Sequence, residues 1–320
     1  MAVIDVVLFI IAFVCDRIAF GKRADKNPLL KYYTAEDFNL NTQPVTIQDN
    51  GAVLGGYIYT CASVQDNGKL IVFCHGMGPG HIAYTTEIAY FCKRGFTVLA
   101  VDNYGCNLSG GKSIRGMYSG ALSTIRAIDF ARSDEGLKNK PLYLVGHSWG
   151  GYSALCASAE RKVEKVVAIS APSSPSNVVW HYLTNMMPKP FAALIAYFVT
   201  ITYCLKFKGK GNTNAAKRAS VNGSPTLLIQ GDKDYVVDKS VAAYYEANGA
   251  HITKYLAEGK AHNPYNTVAA EEKLAELQTA LANCRKMSEG ERYRFFEGFD
   301  FKAATEEDEE VMQVIANFLD

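Results

Sequence analysis

The pentapeptide Gly146-His147-Ser148-Trp149-Gly150 constrains this chain more than any other stretch. It reads G-x-S-x-G, a nucleophile elbow, and an elbow needs a buried strand that turns sharply into a helix. The flanks supply both. Leu142-Tyr143-Leu144-Val145 is a continuous apolar run of strand length, and Tyr152 to Ala157 has the small and apolar residues of a helix start. A serine at such a turn sits in a strained backbone, and the flanking glycines avoid clashes. Its hydroxyl then projects from the top of a parallel sheet, where a base can reach it.

The chain has 320 residues, 48% of them apolar, enough for one sizeable core or one domain with an inserted cap. The formal net charge of +1 gives no bulk field toward nucleic acid. The eight cysteines are scattered, and Cys74 and Cys156 fall in apparent core elements. None has metal-ligand spacing or sits on an elbow, so reduced thiols in a cytoplasmic setting are expected.

Val6 to Cys15 is a continuous apolar run bounded by Asp5, Asp16 and Arg17. No Lys or Arg precedes it and no small-residue cleavage site follows, which makes it a poor secretory signal. It is also short for a spanning helix. Arg17, Lys22, Arg23 and Lys26 follow it. Two readings of residues 1–26 stay open. One is a helix packed on the domain. The other is an anchor at a membrane surface, apolar part in lipid and basic flank on anionic headgroups.

Apolar, β-branched runs alternate with helical patterns. Val45–Gln48 and Val53–Thr60 read as a hairpin around Asn50-Gly51. Leu70–Cys74, Thr97–Val101, Leu142–His147, Val166–Ser170, Thr226–Gln230 and Ile252–Ala257 read as later strands. Helices are expected near 82–93, 119–132, 149–160, 239–247, 267–286 and 306–319. This alternation implies a mainly parallel sheet covered on both faces, with ligand sites at the carboxyl ends of its strands. Residues 173–222 interrupt the rhythm after the sixth strand. Their length and aromatic content read as a helical lid, with Trp180, Met186 and Phe191 as candidate substrate contacts. The remainder, 27–172 and 223–320, forms the core.

Ser148 needs a base, and the base needs an orienting acid. Asp232 and Asp234 follow the strand Thr226–Gln230, and His262 follows the last strand. His262 is the expected base and Asp234, fourth in G-x-x-D, the expected acid ahead of Asp232. Asp102 also ends a strand, but it precedes Ser148 in the chain. His75 and His147 read as structural, while His81, His181 and His251 occupy poorer positions for a base. For a developing oxyanion, the turn His75-Gly76-Met77-Gly78 offers the backbone N–H of Met77, and the elbow offers that of Trp149. A phosphate cradle at this turn would need a Gly-Lys-Ser/Thr ending or a G-x-G-x-x-G pattern, and neither occurs.

In this order of motifs the chain resembles the α/β-hydrolase superfamily over roughly residues 45–320. The monoacylglycerol-lipase-like and serine-aminopeptidase-like members are the most similar in style. The segment Asp102 to Gly110 is similar to the family's D-x-x-G-x-G-x-S-x-G. Asn107 stands where a glycine is common, so a different loop conformation is expected there. The resemblance implies the α/β-hydrolase fold and an acyl-serine mechanism without cofactor or metal. The expected activity is hydrolysis of a small-molecule ester with an apolar or lipid-like acyl group. Aminopeptidase or amidase action, thioester hydrolysis and acyl transfer stay open on the same triad, as does a noncatalytic binding protein. An aminopeptidase would need an acidic group for a free amine, and residues 173–222 contain no Asp or Glu.

Overall fold

In a computed structural model of the chain, residues 2–49 and 52–320 are described. The turn at Asn50-Gly51 lies outside them. The order of elements is α1 (Ala2–Phe20), β1 (Asn41–Asp49), β2 (Ala52–Thr60), β3 (Leu70–Cys74), α2 (Thr85–Cys92), β4 (Thr97–Val101), α3 (Tyr118–Ser133), β5 (Leu142–His147), α4 (Trp149–Ser158) and β6 (Lys165–Ile169). Then come α5 (Pro175–Met186), α6 (Lys189–Lys206), α7 (Ala215–Asn222), β7 (Thr226–Gly231), α8 (Ala243–Glu246), β8 (Ile252–Ala257), α9 (Val268–Asn283), α10 (Glu289–Gly298) and α11 (Glu309–Leu319). This is the α/β-hydrolase fold.

The strands form one sheet in the order β1-β2-β4-β3-β5-β6-β7-β8. β2 pairs antiparallel with both β1 and β4, and every pair from β4 to β8 is parallel. β3, β4 and β5 are buried along their whole length, as a parallel sheet covered on both faces requires. β1 is one of the two edge strands, where a proline such as Pro44 is tolerated. From β3 the chain winds outward to β4, then returns past β3 and proceeds the other way through β5. The reversal opens a crevice between the carboxyl ends of β3 and β5, the usual ligand position in such sheets.

Two apolar layers cover the sheet. Leu144, Leu155, Ile128 and Ala216 belong to the layer under α3, α4 and α7. Ile71, Phe91, Ile229 and Ile315 belong to the layer under α2 and α11. The helix expected near 239–247 shrinks to the single turn of α8. The one near 82–93 begins as a tight 3₁₀ turn, His81–Tyr84. α10 was not expected from the sequence. It packs Phe296, with Phe299 and Leu277, into a small separate cluster.

Residues 173–222 hold three helices. α7 turns back and buries Ala215, Ala216 and Ala219 in the main layer. α5 and α6 instead form their own apolar cluster with α1, built on Ala12, Leu183, Ala192, Ile195, Val199 and Tyr203. Among the described residues, no helix is long and apolar enough to cross a membrane.

Strand contact is close where β2 meets β4. A Cβ at Gly56 would lie 2.2 Å from the Ala100 carbonyl oxygen. Gly56→Ala is therefore expected to lower stability by about 1–3 kcal/mol, read as a shifted urea midpoint with unchanged slope.

Candidate active site

The elbow forms because glycine lets backbones meet. A Cβ at Gly150 would stand 1.8 Å from the Cys74 carbonyl oxygen, and one at Gly146 2.4 Å from that of Gly150. Ser148 itself takes φ 55° and ψ −119°, a conformation non-glycine residues avoid. Its N–H donates to the Ile169 carbonyl of β6 at 2.8 Å, which holds the strained residue in place. The Trp149 indole N–H donates to the Met117 carbonyl at 2.6 Å and pins the first turn of α4 to α3.

The loops after β7 and β8 bring the other two residues to the serine. His262 Nε2 lies 3.0 Å from Ser148 Oγ, and His262 Nδ1 lies 2.9 Å from Asp234 Oδ2. An ionised carboxylate only accepts, so Nδ1 carries the proton and Nε2 is free to take one from the serine. Gly231 makes this approach possible, since a Cβ there would fall 2.1 Å from the Ala261 carbonyl oxygen. Asp232, the rival acid, is exposed.

Asp234 is held at both oxygens. Val236 and Val237 N–H donate to Oδ1 at 2.9 Å each, and Gln230 Nε2 donates to Oδ2 at 2.9 Å. Burial by itself would raise this carboxyl's pKa. The hydrogen bond and charge of His262, with the two backbone donors, outweigh burial and hold it below the ordinary value.

The turn after β3 carries the other expected group. Among the described residues, neither the Met77 nor the Trp149 backbone N–H donates to a protein acceptor. Both are available to an oxyanion. The turn is fixed from beneath. Gly76 N–H donates to Tyr84 Oη at 3.1 Å, the Tyr84 hydroxyl lies 2.9 Å from His147 Nδ1, and His147 Nε2 lies 2.9 Å from the His262 carbonyl oxygen. The directions agree only if Tyr84 donates to Nδ1 and His147 carries its proton on Nε2. One chain of hydrogen bonds thus links the turn to the backbone of the triad histidine.

Burial and the neighbouring His262 push His147 down to about 3, so it stays neutral. His75 is likewise depressed, chiefly by burial, and accepts the Asn103 N–H at Nε2. Both rings are buried and hydrogen-bonded to backbone groups. Asp102 is a clamp. Its Oδ1 accepts from the backbone N–H and ring Nδ1 of His81, and its Oδ2 from Asn107 Nδ2 and Leu108 N–H. Gly80 must lack a side chain because a Cβ would sit 2.0 Å from Asp102 Oδ1. The sequence did not point to this His81–Asp102 pair, to Tyr84 or to Gln230. Asn107 adopts φ 34°, a left-handed backbone of the kind glycine favours.

The lid candidates lie on α5 and α6. Trp180, Met186 and Phe191 are exposed by 37, 78 and 63%. Among the described residues, none makes a hydrogen bond or ring contact with the triad. α5 is nonetheless tied to the acid loop, since His181 Nδ1 lies 3.4 Å from Asp238 Oδ2.

The family model for the alpha/beta hydrolases matches residues 71–276. The chain belongs to that family. An AB hydrolase superfamily protein of Bacillus subtilis (strain 168), YfhM, is 28% identical over 156 residues, 48% of this chain and 51% of that protein. The chain thus spans about half the length of the curated relative it matches. Among solved structures, an esterase from Pyrococcus furiosus superposes with TM-score 0.59 at 19% identity, covering 82% of this chain and 98% of its own. Est1E from Butyrivibrio proteoclasticus, solved with ferulic acid, gives 0.51 at 17% identity, covering 75% and 99%. At these identities the likeness is one of fold.

The depressed His147 makes stability depend on pH. Below about 6.5 the unfolded chain binds a proton at this position that the folded protein refuses until about pH 3. Stability therefore falls as pH drops through that window, by on the order of several kcal/mol. His147→Gln is expected to flatten this part of the slope of unfolding free energy against pH. An unchanged slope would mean that His147 is protonated in the folded protein.

Proposed function

We propose that this family member is a serine hydrolase cleaving carboxylic esters of apolar or lipid-like acyl groups. The observation that carries this reading is the continuous hydrogen-bonded line Ser148–His262–Asp234, set beside two unengaged N–H groups at Met77 and Trp149. Ser148 Oγ attacks the carbonyl carbon while His262 Nε2 takes its proton. The Met77 and Trp149 amides receive the developing oxyanion. His262 then gives the proton to the leaving alcohol, and an acyl-serine remains. Water attacks the acyl carbon with His262 again as base, which releases the acid and restores the serine. Asp234 stays ionised throughout and stabilises the imidazolium. None of these steps calls on a cofactor or metal.

The preference for an apolar acyl group rests on the helices beside the site. α5 and α6 are rich in aromatic and aliphatic residues, and the stretch 173–222 contains no acidic residue to hold a free amine. That favours an ester over an aminopeptidase substrate. Thioester hydrolysis and acyl transfer would use the same triad and differ in the acceptor or leaving group.

Two experiments test this. Ser148→Ala is expected to abolish covalent labelling by a fluorophosphonate and to lower kcat on aryl esters by about 10⁴ or more, with the fold retained. Labelling that persists would remove Ser148 as nucleophile. Asp234→Asn is expected to lower kcat by a comparable factor, about 10⁴, because His262 then takes the wrong tautomer. Asp232→Asn is expected to change it little. Equal effects would show the acid to be misassigned.

A further inference from the structure

A helix at a protein surface shows one apolar stripe to the core and polar residues to water. α1 breaks this rule. Its inner stripe, with Ala12 and Phe20, packs on α6, where Phe20 lies edge-on to Tyr203. Its outer side is apolar too: Val6, Ile10, Phe13, Val14 and Ile18 are all exposed, Ile18 by 77%. α6, packed against α1, also exposes apolar side chains at Phe191, Tyr197 and Leu205. An apolar patch of this extent on the outside of a soluble domain marks an interaction site.

The charges at its border say what covers it. Arg17, Lys22 and Lys208 stand exposed at the carboxyl ends of α1 and α6, and among the described residues none of them has a carboxylate partner. The one acidic side chain described within α1, Asp16, is buried and spent on Lys206 at 3.0 Å. An apolar face with an unpaired cationic edge is complementary to an anionic bilayer, acyl chains under the face and headgroups at the edge. We propose that α1 and α6 together form a docking surface for anionic membranes, with both helices lying in the interface. The pairs Phe9–Phe198 and Asp16–Lys206 make the two helices run side by side in the same direction, as one unit. Docking of α1 therefore fixes α6, and with it the helical segment between β6 and β7.

The test is flotation of the full chain with phosphatidylcholine/phosphatidylglycerol vesicles and with phosphatidylcholine alone. Binding to the mixed vesicles is expected. A triple variant, Ile10→Asp, Phe13→Asp and Ile18→Asp, changes only outward side chains. It is expected to lose at least about tenfold in partitioning while keeping its thermal unfolding midpoint. Arg17→Gln with Lys22→Gln and Lys208→Gln leaves the apolar face intact. It is expected to remove the preference for phosphatidylglycerol, as about 1 M salt does for the native chain. Ser148→Ala is expected to float as the native chain does, so the surface stands or falls apart from the hydrolase reading. The proposal is overturned if the native chain stays with the soluble fraction, or if the aspartate variant floats equally well. It is also overturned if the face proves to be a self-contact, a dimer that the aspartate variant converts to monomer without any vesicle binding.

Discussion

The site depends on one residue that never meets substrate in the proposed chemistry. His147, inside the elbow, is buried and neutral and has a hydrogen bond at each ring nitrogen. Through Tyr84 it reaches the turn after β3, and through the His262 carbonyl it reaches the loop after β8. Three loops from separate strands are thereby referred to one imidazole. A charged imidazole at this place could not accept from Tyr84, and its burial would be costly. Kept neutral by its burial, His147 accepts at Nδ1 and donates at Nε2, which fixes the direction of each bond in the network. The strained Ser148 backbone beside it is held by its own N–H bond to the Ile169 carbonyl, since strain persists only where surrounding contacts over-determine it.

A second constraint is the absence of side-chain volume. At Gly80, Gly150 and Gly231 a Cβ would lie about 2 Å from an oxygen of another segment. Each is a place where backbone or carboxylate must approach more closely than any side chain allows. Together they set how near the turn after β3, the elbow and the His262 loop come to one another. The triad distances of 2.9 and 3.0 Å follow from this packing as much as from the triad residues themselves.

Much of this was legible in the sequence. The parallel strands are short apolar runs ended by turn residues, and a run buried on both faces reads clearly. Ser148, Asp234 and His262 were legible because chain order and strand ends restrict the choices. What could not be read depends on partners far apart in the chain. His81 and Asp102 are 21 residues apart, and Tyr84 and His147 are 63 apart, with no motif joining them. Gln230 looks like any strand residue until its amide is seen on the acid. α10 did leave a signal: Ser288 and Glu291 form a capping box, and S-x-x-E ahead of an aromatic cluster is a helix start. The outward face of α1 was visible only as an apolar run. Its partner, α6, had to be located before the run could be divided into a packed and an exposed side.

The pairing of α1 with α6 has a consequence for how the chain is made. Asp16 and Lys206 are 190 residues apart. At about 5–20 residues per second of synthesis, α1 leaves the ribosome some ten to forty seconds before its partner helix exists. During that interval both of its apolar faces are bare, and the unmatched Asp16 carboxylate keeps its water. The order of synthesis thus favours a chain whose first helix meets its surroundings before it meets its own fold.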